Sequence, residues 1–250
     1  MVGIAMSFAQ IAHIYDQVNN LAAYQEWIDF TKQQVPTPPK RALDLACGTG
    51  YFSFLWAKSC QALIGIDLDP AMVKMAEKKL GQGESPLEFK VEDMTDLTFA
   101  DQTFDCITCY LDSLCFLPNL DQVQACFAEV YRVLEPGGTF LFDVWTQDFL
   151  LDFFDDFINV ESFDEGHLIW QSQVDFDQVQ VTHDLTVYEG QGNSYQRSQT
   201  SLQERTYPLD DYLAALLAVG FNIDKISVWP DFQDSQPQSD TSRWVFVVHK

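Results

Sequence analysis

Basic residues are scarce in this chain. Its 250 residues include 14 Lys and Arg against 37 Asp and Glu, a formal net charge of -23. A polyanion approaching such a surface is repelled over the distances at which electrostatic steering acts, so nucleic acid is not the expected partner. The imbalance deepens late in the chain, where residues 151–250 hold 17 Asp and Glu against 5 Lys and Arg. Long apolar runs are missing too: none approaches the roughly 18 residues of a membrane span. The opening MVGIAMSFAQIAHIYDQVNN lacks the basic segment of a secretory leader. A cytoplasmic protein with no membrane partner is expected. Internal repeats and low-complexity segments are absent, and a hydrophobic fraction of 47% with 20% charged residues argues against disorder along the whole chain.

The six cysteines lie in or beside apolar segments and do not form the framework of a small secreted domain, so they are read as reduced. Cys106 and Cys109 spell C-x-x-C, the spacing of a redox pair or half a zinc site. They sit in FDCITCY, however, a strand-like run in which a three-residue separation points them to opposite faces. Packing is the favoured reading, and no metal is expected.

Residues 41–145 alternate short apolar runs with amphipathic segments, the pattern of parallel strands joined by crossover helices. The strand candidates are RALDLA, ALIGID, LEFKV, FDCITCY and TFLFDVW. A helix is expected from about residue 70, with Asp69 as N-cap, Pro70 in the first position and Met72, Met75, Ala76 and Leu80 as its inward stripe. A second has Leu120, Val123, Phe127, Val130 and Leu134 on one face and is expected to end in EPGG, residues 135–138, before the fifth strand. Beyond residue 150 the period falls to two: Val179, Val181, His183, Leu185 and Val187 share a face, predicting a small antiparallel sheet. A helix over about 209–219 ending at Gly220, the strands FNIDKISV and RWVFVV, and a mobile polar loop PDFQDSQPQSD between them complete the expectation.

The chemistry is concentrated in LDLACGTG, residues 43–50. In a doubly wound sheet the ligand lies beyond the carboxyl ends of the strands, where crossovers diverge. Gly48 and Gly50 permit unusual dihedrals and a close approach of backbone to ligand, and a helix beginning near Tyr51 offers unpaired N–H groups. The next strand ends in Asp67, 19 residues after Gly48, where an acid can accept both ribose hydroxyls. A dinucleotide needs a third glycine, but that position is Ser53. Asp44 would also face an anionic pyrophosphate unfavourably. A cationic ligand suits Asp44 better, since ion pairing offsets part of its desolvation cost; capping of the helix or of loop N–H groups is the alternative.

LDLACGTG, GIDLDPAMVKMA, VEDM, FDCITCYLDSL and VLEPGGTFLFDV together resemble the ordered motifs of class I S-adenosylmethionine (SAM)-dependent methyltransferases. The resemblance covers roughly residues 10–150 and the last forty. It is nearest to small bacterial enzymes with an antiparallel insertion after the fifth strand, similar to sugar-amine N,N-dimethyltransferases. It implies a Rossmann-like, doubly wound α/β sheet of seven strands, mostly parallel with the last antiparallel, built from residues 1–150 and 207–250. Residues 151–206 would form the β insertion, a lid, substrate wall or oligomer interface, with a homodimer conceivable.

The resemblance further implies SAM as cofactor. Asp44, Ala46, Gly48, Thr49 and Gly50 would hold its methionyl part, Asp67 the ribose, Leu68 and Met72 the adenine face, and Glu92, Asp93 and Met94 the adenine edge. Tyr110 would lie under the methionyl group, and Cys115 stands where related sequences often have Asn. Tyr15, Tyr24 and Trp27 in YDQVNNLAAYQEW are the aromatic lid candidates.

Methyl transfer is an in-line displacement that asks for alignment, desolvation and sometimes a base. The catalytic candidates are Asp112, which could hold or deprotonate an amine or simply cap a loop, His183, which could be a base or a satisfied core histidine, and Tyr15; His13 is a weaker base candidate. The expected activity is methylation of N or O on a small-molecule acceptor. An RNA or protein methyltransferase, or a non-catalytic SAM-binding module, is the alternative.

Overall fold

The computed structural model describes residues 8–81 and 86–250. Helices α1 (Tyr15–Val18) and α2 (Tyr24–Gln34) precede an alternating run of β1 (Ala42–Leu45), α3 (Tyr51–Trp56), β2 (Leu63–Asp67), α4 (Pro70–Lys79), β3 (Leu87–Val91), β4 (Phe104–Cys109), α5 (Leu120–Val133) and β5 (Leu134–Trp145). After α6 (Gln147–Phe154) come the insertion strands β6 (Ile158–Phe163), β7 (Gly166–Asp175), β8 (Gln180–Gln191) and β9 (Ser194–Arg205). The chain returns through α7 (Leu209–Ala218), β10 (Ile226–Pro230) and β11 (Arg243–His249).

The main sheet runs β10-β11-β5-β4-β1-β2-β3, and a separate sheet runs β6-β7-β8-β9. Pairing is parallel from β3 to β5, whereas β11 is antiparallel to both neighbours. β1 lies between β2 and β4, so the crossovers diverge at its carboxyl end. All four of its residues are buried, as expected for a strand covered by helices on both faces.

Local signals set the helix boundaries. Asp69 Oδ1 accepts from Ala71 N at 2.8 Å to cap α4, and Asn119 Oδ1 accepts from Gln122 N at 3.0 Å to cap α5. The buried stripe of α4 is Met72, Val73 and Ala76; Met75 and Leu80 lie nearer its margin. Helix α5 ends at Val133, and EPGG belongs to β5, where the register against β4 slips between Phe104 and Cys106. The four residues form a bulge, with Gly137 at φ 82°, and not a turn ahead of the strand. Cys106 and Cys109 pack into different clusters on the two faces of the sheet.

Three further expectations need correction. Val179 lies outside β8 at φ 48°; the strand begins at Gln180. The segment from Phe221 makes a short 3-10 turn, Ile223–Lys225, and becomes a strand only at Ile226. The polar segment after Trp229 is partly built in, because Asp231 accepts from Ser242 and Arg243 and the Phe232 ring packs edge-on against Trp27 and Phe30. Among the described residues no helix is long and apolar enough to cross a membrane.

Candidate active site

The turn after β1 puts three left-handed residues into five positions: Ala46 at φ 52°, Gly48 at φ 56° and Gly50 at φ 81°. The glycines differ in role. A Cβ on Gly48 would meet nothing within 4 Å, and its N–H donates to Asp67 Oδ2 at 2.8 Å. A Cβ on Gly50 would lie 2.5 Å from the Phe89 ring. Gly50, expected as a cofactor contact, stands behind the cavity wall and lets the turn close onto β3.

Asp44 is 3% exposed. Ser53 Oγ donates to its Oδ2 and Thr108 Oγ1 to its Oδ1, the latter at 2.9 Å. The residue at the third-glycine position therefore orients the strand carboxylate. Burial raises the Asp44 pKa to about 7, despite the two hydroxyl donors that favour its anion. Among the described residues no Lys or Arg pairs with Asp44, and the carboxylate is poised for a cation.

At the end of β2, Asp67 Oδ2 accepts from Gly48 N and Oδ1 from Asp69 N at 2.8 Å, and burial raises its pKa. Carboxylate oxygens have lone pairs to spare beyond these two bonds. Leu68 at the rim is 68% exposed, whereas Met72 is buried beneath. Glu92 and Asp93 reach the same wall with Met94, but both carboxylates also brace turns: Glu92 accepts from Thr98, and Asp93 Oδ1 from Thr95.

The N-terminal segment roofs the site. Tyr15 and Tyr24 line the cavity, and burial, with nearby carboxylates, raises both hydroxyl pKa values. Tyr15 thus keeps its proton beyond the ordinary phenol range. Asp16 accepts from Thr49 Oγ1 and pairs with Lys79, which also donates to the Thr49 carbonyl at 2.9 Å. This tie of α1 to the glycine turn had no signature in the sequence. His13 instead meets Glu189 Oε1 at 2.7 Å on the exposed exterior, away from the chemistry.

Beyond β4, Tyr110 lines the cavity, its hydroxyl 2.9 Å from Thr31 Oγ1. Leu111 and Asp112 are left-handed, at φ 59° and 51°, and their N–H groups converge on Asp143, Leu111 N to Oδ1 at 2.7 Å and Asp112 N to Oδ2 at 3.2 Å. Asp143 is fully buried and also accepts from Trp27 Nε1 at 3.1 Å and from Arg243. Trp27 is therefore an anchor of α2 and not a lid. Arg243 lies 3.9 Å over the Trp145 ring and 3.4 Å from Asp112 Oδ1. Burial of Asp112 and the proximity of Glu204 raise its pKa well above the usual carboxylate range, against the pull of Arg243. Asp143 and Arg243 escaped the sequence reading because nothing local distinguishes an acid and a base in two apolar strands.

The insertion supplies the opposite wall. His183 Nδ1 lies 3.0 Å from Trp170 Nε1 and 2.8 Å from Ser172 Oγ. An indole N–H only donates, so Nδ1 accepts and the neutral ring carries its proton on Nε2. That nitrogen is 3.2 Å from Glu204 Oε1 without hydrogen-bond alignment. His183, read from the sequence as a base or a satisfied core histidine, thus presents Nε2 as a donor in the wall. Glu204, unnoticed in a polar strand, receives Trp145 Nε1 on Oε2 at 3.0 Å.

These walls enclose about 740 Å³. The cavity gathers Tyr15, Tyr24, Asp44, Ala46, Gly48, Thr49, Asp67, Leu68, Met72, Glu92, Asp93, Met94, Tyr110, Asp112 and His183; of the expected residues, Gly50, Trp27, His13 and Cys115 do not line it. Two carboxylates flanking a backbone turn that lines the cavity suit a ligand with a cationic end and a ribose.

Residues 43–142 match the methyltransferase domain family. The Bacillus subtilis (strain 168) protein "Putative methyltransferase YqeM" is 31% identical over 245 residues, covering 98% of each chain. A solved S-adenosylmethionine-dependent methyltransferase from Clostridium acetobutylicum ATCC 824 superposes with a TM-score of 0.80 at 25% identity, over 97% of this chain and 98% of that one. The sugar N-methyltransferase KedS8 from Streptoalloteichus sp ATCC 53650 shares the fold, with a TM-score of 0.77 at 22% identity over 100% and 96% of the two chains.

Proposed function

Since this chain belongs to the SAM-dependent methyltransferases, we propose that it methylates a nitrogen or oxygen of a small molecule, and that residues 151–206 form the acceptor wall. The observation that carries this reading is the pair Asp44 and Asp67 on either side of the Gly48 turn, at the sheet's switch point. When bound, SAM supplies a methyl group activated by a sulfonium.

The chain's own residues then divide the work of binding and alignment. Asp44 faces the cationic end, and the backbone of Ala46, Gly48 and Thr49 follows the methionyl part. Asp67 accepts from the ribose hydroxyls with its remaining lone pairs. Leu68 and Met72 sandwich the adenine, whose edge meets Glu92, Asp93 and Met94. Tyr15, Tyr24 and Tyr110 exclude water above the turn, while Asp112 orients the acceptor at the junction of the two halves of the cavity.

Isothermal titration separates this reading from a dinucleotide site. SAM is expected to bind and NAD to give no heat; heat from NAD with none from SAM would overturn it.

A further inference from the structure

The acceptor half of the cavity has a chemical bias of its own. Eight carboxylates line the whole cavity: Asp44, Asp67, Asp69, Glu92, Asp93, Asp112, Glu161 and Glu204. Among the described residues no Lys or Arg does. Arg243 does not line this wall and is paired to Asp143 and Asp112. A phosphate or carboxylate entering here would meet like charges in a partly dry site, where repulsion is stronger than in water. A cationic group would meet partners.

The second observation is directional. His183 is 2% exposed, its Nδ1 is fixed as an acceptor by Trp170, and its Nε2, buried in the wall, has no hydrogen-bond partner. A buried donor left unsatisfied is costly. Here it stands beside Glu204 Oε1, while Glu204 Oε2 is held by Trp145. The apolar surroundings are flat: Phe154 and Trp170 stack with an interplanar angle of 28°, and Trp170 meets His183 edge-on at 5.3 Å.

Resting on the methyltransferase reading, we propose that the acceptor is an amine on a flat apolar body, its nitrogen held by Glu204 and Asp112 and its body against Phe154 and Trp170. Glu204 is the proton acceptor and His183 a positioning donor beside it. In the transfer, Glu204 first takes a proton from the bound ammonium, which frees the nitrogen lone pair; that pair forms the new N–C bond as the donor's C–S bond breaks with its electron pair passing to sulfur. An acceptor bearing a diphosphate, such as a nucleotide sugar, is disfavoured on the same grounds.

Three indole probes of one shape and different charge test this: tryptamine, tryptophol and indole-3-propionate, each titrated calorimetrically into the protein saturated with S-adenosylhomocysteine. Tryptamine is expected to bind about tenfold or more tighter than either of the others, the scale of one desolvated charge pair. In Glu204→Gln that preference should fall about fivefold or more. Equal or tighter binding of the alcohol or the acid, or no binding of tryptamine, would overturn the proposal. The wild-type comparison decides it if the variant fails to fold. Loss of SAM binding itself would instead refute the parent reading, so the two failures are distinguishable.

Discussion

The hydroxyl of Ser53 donates to Asp44 Oδ2, nine residues away on the neighbouring strand. In a dinucleotide fingerprint that position is a glycine pressed beneath a pyrophosphate; in this chain it steadies a carboxylate. Ser53→Ala removes a donor that favours the anion, so the Asp44 pKa should rise above about 7. The midpoint of the pH dependence of SAM affinity, measured by titration calorimetry, should move upward with it.

The wild-type profile follows from the same group. The folded pKa of about 7 lies above the ordinary 3.8, so the folded protein binds a proton that the unfolded chain has released. Stability without ligand should fall as pH rises from about 4 to 7, with Asp67 and Asp112, both raised, adding to the trend. A bound cation favours the ionised Asp44. SAM affinity should hence climb by up to about tenfold per pH unit below pH 7 and level off above it, with proton release visible in buffers of different ionisation enthalpy. A flat profile would remove Asp44 from contact with the ligand's charge.

Asp67 carries two structural bonds besides its proposed ribose contact. Asp67→Asn keeps one acceptor oxygen and should weaken SAM binding by about 10- to 100-fold, the range of one lost hydrogen bond to a charged group. An unchanged dissociation constant would exclude the ribose role.

Gly50→Ala would force a Cβ to within 2.5 Å of the Phe89 ring at a φ of 81°. A loss of about 2–4 kcal/mol is expected from overpacking and left-handed strain together. Adding Phe89→Leu should recover only the steric part. Full recovery in thermal unfolding would show that the dihedral is unstrained.

The buried pair of Asp143 and Arg243 predicts an asymmetry. Asp143→Ala leaves the Arg243 guanidinium with only Asp112, 3.4 Å away, and frees the two N–H groups of the left-handed pair Leu111 and Asp112, at a cost of about 3–5 kcal/mol. Trp27→Phe removes one donor to the same carboxylate and should cost about 1–3 kcal/mol for the bond. Denaturant unfolding of both variants checks the order.

Much of this protein was legible in the residues alone, where the physics is local. Strand alternation, helix stripes, the Asp69 cap and the spacing of Gly48 to Asp67 all act within one crossover, so their signals lie close together along the chain. They determined the sheet, the switch point and the cofactor half of the cavity. What the tertiary structure decided was partnership. Asp143 gathers Trp27, Leu111, Asp112 and Arg243 from three segments, and Glu204 meets Trp145 and His183 across two sheets. The division between Gly48 and Gly50 likewise depends on where Phe89 lies. No periodicity records which strand a side chain will face once the sheet closes, because burial and charge pairing are settled by neighbours distant in sequence. That is why the acceptor wall emerged only from the fold.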